Sequence, residues 1–370
     1  MDPLLDDDQR SYQRSLRKFL DTNWTDEEVR ADLEAAAPDR ATWRRLAGEL
    51  GVAGLGIPEQ YGGSGGAPAE ALLVAEELGR ALYGGPYLST VVLAANAIVL
   101  SGDHAIAEQL LPGIASGETT ATLATIDAGR DRHPAPAPEA TLTSDGWVVS
   151  DEALRVIDGA DADHLIVEAS TPAGRSLFLL DGSGVERRPS ETLDPTRRMA
   201  TLVLDRAPAQ LIGRDGQASE ILEALRPLVA LALAAEAVGG AARAIHETVE
   251  YAKTRHQFGK AIGSFQAVKH RCAEMQVRLD GARAGVRHAG RVLVEGGEDV
   301  GLLASVLKVY ATKSYFRTAA EMIQLHGGIG FTWEHSAHLH FKRAKSLEFL
   351  GGTHAELRSA IADVVLADRG

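Results

Sequence analysis

"YAKTRHQFGKAIGSFQAVKHR", residues 251–271, joins two long stretches of helical hydrophobic period. Before it, Leu231, Ala235, Val238, Ala242, Ile245, Val249 and Ala252 recur at steps of four and three, the spacing that gathers side chains on one helix face. After it, Val268, Cys272, Met275, Leu279, Ala282, Val286, Ala289 and Leu293 do the same. The segment is therefore expected to turn between two bundle helices, and it carries Arg255, Gln257, Phe258 and Gly259. An arginine at a helix end can fork onto a pyrophosphate, a glycine lets backbone approach it, and an exposed phenylalanine offers a flat surface to a ring. A polar hairpin turn without any ligand accounts for the same residues, so at this level both accounts stand.

Working outward, "GLLASVLKVYATKSYFRTAAEMIQLH" and "HAELRSAIADVVLADR" supply two further helical segments, and residues 211–370 are expected to form a four-helix bundle. Over 118–210 the period shortens. "ATLTSDGWVVSD" is a hairpin with Asp145-Gly146 at its turn, and "DHLIVEAS", "RSLFLLD" and "MATLVLD" are short β-rich runs, which predicts a small antiparallel β domain. "AGRDRHPAPAPEA" within it is expected to be an exposed loop. Residues 1–117 return to helical spacing, with Tyr12, Leu16, Phe19 and Leu20 on one face and a loop marked by Pro58, Gly62, Gly63, Gly65 and Gly66. The fold class is α+β and mostly helical: an N-terminal helical domain, a middle β domain and a C-terminal bundle.

A chain of 370 residues with 45% hydrophobic and 24% charged residues can bury more than one core. Its net charge of -13 opposes a phosphate backbone, so nucleic acid is not an expected partner, while a small polyanion such as a nucleotide or coenzyme A stays open, because local arginines and not total charge would hold it. Cys272 is the single cysteine, which excludes an intrachain disulfide, and its place in the helical stripe predicts a buried small apolar residue. The acidic opening "MDPLLDDDQR" lacks the basic character of a secretory or transit segment, and the apolar run 228–242, interrupted by Glu236, is too short to span a bilayer. No membrane association and a cytoplasmic location are expected. "GVAGLGIPEQYGGSGG" is glycine-rich but does not lead from a strand through GxGxxG into a helix, so any nucleotide must be held another way. "QLHGGIGFTWEH", residues 324–335, is a second candidate for close approach by a ligand. His335, His338 and His340 do not fall on one helix face, and no metal is expected.

Together "YAKTRHQFGKAIGSFQ", "IQLHGGIGFTWE", "WRRLAGELGVAGLGIPEQYGGSGG" and "AEELGRAL" resemble the acyl-CoA dehydrogenases, and the order of helical, β and helical domains agrees over essentially the whole chain. The resemblance implies FAD held between subunits of an oligomer. Arg255, Gln257 and Phe258 would contact it across an interface; Gln324, Gly327 and Gly328 would line it from the other subunit, and Thr353 would also touch it. The family's Trp-Ile-Thr triplet in the β domain is not kept: Arg155 and Ile157 stand where the tryptophan and threonine would be. The glycine- and serine-rich segment after the first strand is replaced by "LATIDAGRDRH".

The family's reaction needs a carboxylate over the proton next to a thioester, often a glutamate immediately before Gly-Thr. Counting from Gly327-Gly328 places Gly351 of "LEFLGGTHAEL", residues 347–357, at that position. Its backbone N–H can still donate to a thioester oxygen, but it has no base. A second base position used by some members falls at Val229, beside Ala230. Glu236 and Glu348 are the nearest substitutes. The resemblance is closest to bacterial members that pair two unlike chains, some degrading steroid side chains, so the expected partners are an acyl-CoA, a homologous base-bearing subunit, and electron-transfer flavoprotein or a similar acceptor. A homomeric enzyme using Glu236 or Glu348, or a non-catalytic acyl-CoA- and FAD-binding scaffold, are the alternatives.

Overall fold

In a computed structural model residues 4–66, 68–125, 138–296 and 299–367 are described. The chain runs α1 (Asp7–Asn23), α2 (Asp26–Glu34), α3 (Arg40–Leu50), α4 (Pro68–Arg80), a π-helical segment (Tyr87–Ala95), α5 (Asn96–Ser101) and α6 (His104–Ala115). Strands β1 (Ala121–Ala124), β2 (Glu139–Thr143), β3 (Gly146–Ile157), β4 (His164–Thr171), β5 (Gly174–Leu180), β6 (Val185–Pro189) and β7 (Met199–Ile212) follow. After α7 (Ala218–Thr254) come the two-residue strands β8 (His256–Gln257) and β9 (Lys260–Ala261), then α8 (Gln266–Glu295), α9 (Val300–His326), α10 (Ala337–Leu347) and α11 (His354–Ala367). Most of the expected loop "AGRDRHPAPAPEA" and most of "LATIDAGRDRH" lie outside the described residues; the loop's last two residues, Glu139 and Ala140, belong to β2.

Internal contacts divide the chain into two compact units that cut across sequence order: Met1–Leu33, Leu72–Tyr83 and Ala230–Gly370 in one, Glu34–Ala71 and Gly84–Val229 in the other.

In the second unit β2 and β3 form the expected hairpin, with Leu142 opposite Trp147, but its two-residue turn is Ser144-Asp145, one position earlier than expected, and Gly146 already pairs with Thr143. β3 pairs with β7, β7 with β5, and β5 with β4, all antiparallel. The antiparallel expectation needs one correction, since β4 also pairs parallel with β1 and, at Glu139–Ser170, with β2. Through that last pairing the strands close on themselves. Alternation along β4 and β5 then feeds two cores. Leu165, Val167, Phe178 and Leu180 fill the sheet interior with Val149, Leu202 and Leu204, while Ile166, Leu177 and Leu179 pack on Ile98, Ile106, Leu110 and Ile114 of the helices. Strands buried on both faces read as continuous apolar runs, as "LIV" (165–167) and "LFLL" (177–180) do. At the end of β3 Asp158 is buried with φ +55 and accepts a hydrogen bond from Ser89 Oγ at 2.5 Å. Burial raises its carboxyl from 3.8 to about 6, against the lowering effect of Ser89 and Arg197.

The first unit is helical. α9 packs against α8, α10 and α11. α7 has a stretch apolar enough to cross a membrane (mean hydropathy 1.7), but 78% of that stretch is buried inside the protein, so its apolar surface already faces side chains. Of its stripe, Leu231, Ala235, Val238, Ile245 and Ala252 are buried as expected, and in α8 Met275, Leu279, Ala282, Val286 and Ala289 are. Cys272 differs from expectation: it is half-buried, because α8 emerges from cover over its first two turns. α4 and α7 cross at glycines. A Cβ on Gly79 would lie 2.2 Å from the Glu236 carbonyl oxygen, and one on Gly239 would lie 1.7 Å from that of Glu76. Beside this crossing buried Glu76 is held by Arg283 (3.2 Å) and Arg287 (2.5 Å), and buried Glu77 by Arg17 (2.6 Å) and Arg80 (3.0 Å).

Candidate active site

The turn after α7 is set by backbone. Arg255 N–H still donates to Tyr251 O at 2.8 Å, and then His256 pairs with Ala261 and Gln257 with Lys260. Phe258 and Gly259 are left to make the connection, with φ of +53 and +77. Two successive positive φ values define the tight hairpin turn usually served by Asn-Gly or Gly-Gly. Glycine suits the second place, whereas phenylalanine at the first costs on the order of 1 kcal/mol. Phe258 is also 91% exposed, touching Phe265 edge-on at 6.2 Å. A large ring held in solvent on a strained turn is suited to stack on another flat ring.

The second motif closes α9. Gln324, Gly327 and Gly328 are exposed, Gly327 has φ +64, and no atom lies within 4 Å of where a Cβ on Gly327 or Gly328 would stand. Gly330 is different, since its Cβ would meet Ile323 O at 2.8 Å, so that glycine serves packing while the earlier pair leaves bare backbone open to a ligand. Tyr251 brings the two motifs together: its ring stacks on His326 at 4.3 Å and its hydroxyl donates to His326 O at 3.3 Å.

The third piece lies between α10 and α11. Gly351 and Gly352 have φ of +65 and +101. Gly351 is exposed, and within the described residues neither N–H of the pair donates to an acceptor of the chain. The side chain of Lys308 on α9, 0% exposed, donates from Nζ to Gly352 O at 2.5 Å. Burial pulls its ammonium from 10.5 down to about 8, although Glu356 and Glu348 pull the other way. Thr353 donates to Glu356 Oε2 from its N–H (2.9 Å) and its hydroxyl (3.0 Å), and Thr312 Oγ1 is bonded to His354 Nε2 at 2.7 Å. Sequence reasoning missed Lys308. The signal was there: it shares a helix face with Ala304, Ala311 and Tyr315, all buried, where a cation has no reason to be unless something needs it.

Neither substitute carboxylate is available as it stands. Glu236 pairs with Arg343 at 2.6 Å, and Arg343 is 1% exposed. Glu348 pairs with Lys345 at 2.7 Å and lies 3.9 Å from His354 Nδ1. Removing one partner of a buried pair leaves an uncompensated charge, roughly 3–5 kcal/mol, so the Glu236–Arg343 pair is a structural bond before it is anything else. In the other unit Val229 packs against the helical core, and Ile157 is buried with its carbonyl accepting from Thr122 Oγ1 at 2.6 Å. Arg155 has φ +56 at an irregularity in the β3–β7 register. His340 is bonded to Tyr315 at 2.8 Å and His338 lies against Trp333 at 4.5 Å; no group of three or more metal-ligating side chains occurs among the described residues.

An exposed ring, an arginine three residues before it in the chain, bare glycine backbone and a turn whose glycine N–H groups meet no acceptor among the described residues are all carried by one helical unit. Residues 219–366 match the acyl-CoA dehydrogenase C-terminal domain and residues 6–118 the N-terminal domain. The chain belongs to the acyl-CoA dehydrogenase family, and its cofactor is FAD. The acyl-CoA dehydrogenase IpdE2 of Mycobacterium tuberculosis is 35% identical over 333 residues, 88% of this chain and 87% of that protein. FadE34 of the same organism is 36% identical over 327 residues, 87% of this chain and 42% of that longer one. Among solved structures, the steroid acyl-CoA dehydrogenase Tcur3481-Tcur3483, in a glycine-to-alanine variant, has a TM-score of 0.85 at 29% identity and covers 98% of each chain. Butyryl-CoA dehydrogenase of Megasphaera elsdenii has a TM-score of 0.90 at 25% identity, covering 99% of this chain and 100% of that one.

Proposed function

We propose that this chain is the base-lacking subunit of a heteromeric acyl-CoA dehydrogenase acting on a bulky, steroid-type acyl-CoA, with electron-transfer flavoprotein or a similar acceptor downstream. One observation carries the first part: the position before Gly-Thr is a glycine with φ +65, while Glu236 and Glu348 are both engaged by cations. The steroid assignment is supported by the steroid acyl-CoA dehydrogenase among the solved relatives.

Dehydrogenation takes a proton from the carbon next to the thioester carbonyl and a hydride from the carbon beyond it. When bound, FAD accepts the hydride. Of this chain's residues, Phe258 supplies the ring surface, Arg255 and Gln257 flank it, and Gln324, Gly327, Gly328 and Thr353 offer close polar backbone and a hydroxyl. The Gly351 N–H donates to the thioester oxygen, stabilising the charge that develops there as the proton leaves. The proton goes to a carboxylate of the homologous partner. A positioned general base is worth roughly two to four orders of magnitude, so the chain alone is nearly silent.

Anaerobic visible spectroscopy tests this. The FAD-loaded chain alone keeps its flavin absorbance when a panel of acyl-CoAs is added, and the complex with a base-bearing homologue bleaches. Bleaching by the chain alone would sink the partner requirement, and Glu236→Gln and Glu348→Gln would then name the base. No bleaching with any base-bearing homologue would favour a binding scaffold.

A further inference from the structure

The peptide unit between Gly352 and Thr353 is held at both ends. Its oxygen accepts from Lys308 Nζ at 2.5 Å, and its N–H donates to Glu356 Oε2 at 2.9 Å. On the other side of the turn Leu350 N–H donates to Ser346 O at 3.2 Å. Between these fixed points stand Gly351 and Gly352, the residue type with the widest backbone freedom. Holding a residue in a single backbone well costs conformational entropy, so a glycine pair without outside support spreads its N–H groups over many directions. Glu356 is exposed and can swing away, whereas Lys308 is rooted in the interior of α9. Buried lysines are scarce because the ammonium loses its water, and here that loss is offset by a carbonyl that has no other need of a charged donor.

We propose that Lys308 is a positioning residue for the thioester: by clamping the Gly352 carbonyl it aims the Gly351 N–H at the substrate oxygen. The proposal rests on the assignment of that N–H as the thioester donor. Lys308 touches neither substrate nor cofactor; it acts through the turn. Glu356 and Glu348 both favour its charged form against the burial, and His354 is bonded to Thr312, one turn along α9.

The test compares two probes that differ in the thioester carbonyl alone, acetyl-CoA and its thioether S-ethyl-CoA, binding to the FAD-loaded full chain. One aimed hydrogen bond makes the wild type prefer acetyl-CoA by roughly three- to tenfold. Lys308→Met brings that ratio to about one while S-ethyl-CoA affinity and FAD content stay as they were; a residue needed for folding alone would weaken both probes together. Should Lys308→Met not fold, Lys308→Gln, which shortens the reach to the carbonyl, lowers the ratio part of the way. A folded variant that keeps the wild-type ratio overturns the role of Lys308 and leaves the donor assignment intact. A wild type without preference overturns both.

Discussion

At position 351 a carboxylate would have to ride on a backbone with φ +65, a conformation that L side chains adopt at a penalty of about 1 kcal/mol. The site is open, since Gly351 is exposed, so strain and not collision opposes the change. Gly351→Glu is therefore expected to fold, to lose about that much stability in urea titration, and to give the chain alone a slow anaerobic flavin bleaching that wild type lacks. A folded Gly351→Glu that stays unbleached would show that more than the base is missing. The glycine pair at the turn was legible in the sequence, and the positive φ of both residues agrees with the residue type. Lys308 and Arg343 were not, since long cations on an amphipathic helix usually lie with their heads in water, and burial of such a head is decided by elements far away in sequence. The Glu236–Arg343 pair spans 107 positions, so the state of the carboxylate depended on a partner that no local pattern names.

At the scale of one element, the hairpin at 256–261 trades stability for an exposed ring. Phe258→Gly removes the strain at the first turn position and should raise the thermal stability of the flavin-free chain, by up to about 1 kcal/mol, while weakening FAD binding by removing the ring surface. Thermal unfolding without FAD and a flavin titration separate the two effects; a variant that loses stability without FAD would show that the ring packs more than it strains. The turn's existence was plain from Arg-His-Gln-Phe-Gly between two periodic helices, but its two-residue strands and the sign of φ at Phe258 were not, because propensity alone would never place phenylalanine there. The β domain shows the same limit. Its hairpin was readable from the Asp-Gly dipeptide to within one position of the turn, whereas the parallel partnering of β1 and β2 with β4 depends on residues that meet from distant parts of the chain.

Across the whole molecule the two compact units carry buried titratable groups of opposite sign. In the helical unit burial lowers His340 from 6.5 to about 4. The unfolded chain thus takes up a proton there between those values while the folded unit does not, and stability falls as pH drops from 6.5 toward 4. In the β-containing unit Asp158 is raised from 3.8 to about 6, so the folded form takes up the proton first. Asp158 therefore contributes stability as pH falls from 6 toward 3.8, its burial penalty being fully present above 6, against the opposite pull of His164, which burial lowers. Between pH 7 and pH 5 each effect is on the order of 1–2 kcal/mol. Hydrogen exchange, corrected for intrinsic rates, should show protection falling in α9 and α10 and rising around β3 over that step; equal movement in the same direction would refute the opposition.

The glycine crossing of α4 and α7 has a historical consequence. With Gly79 against the carbonyl of Glu236 and Gly239 against that of Glu76, the backbone around residue 236 can neither slide nor turn, and its side chain is moored to Arg343. On the proposed reading, a lineage acquiring a base of its own could not recruit Glu236 by small steps, since each step would first break the crossing or strand a buried arginine. On that reading the shorter road to a base runs through one codon, that of Gly351.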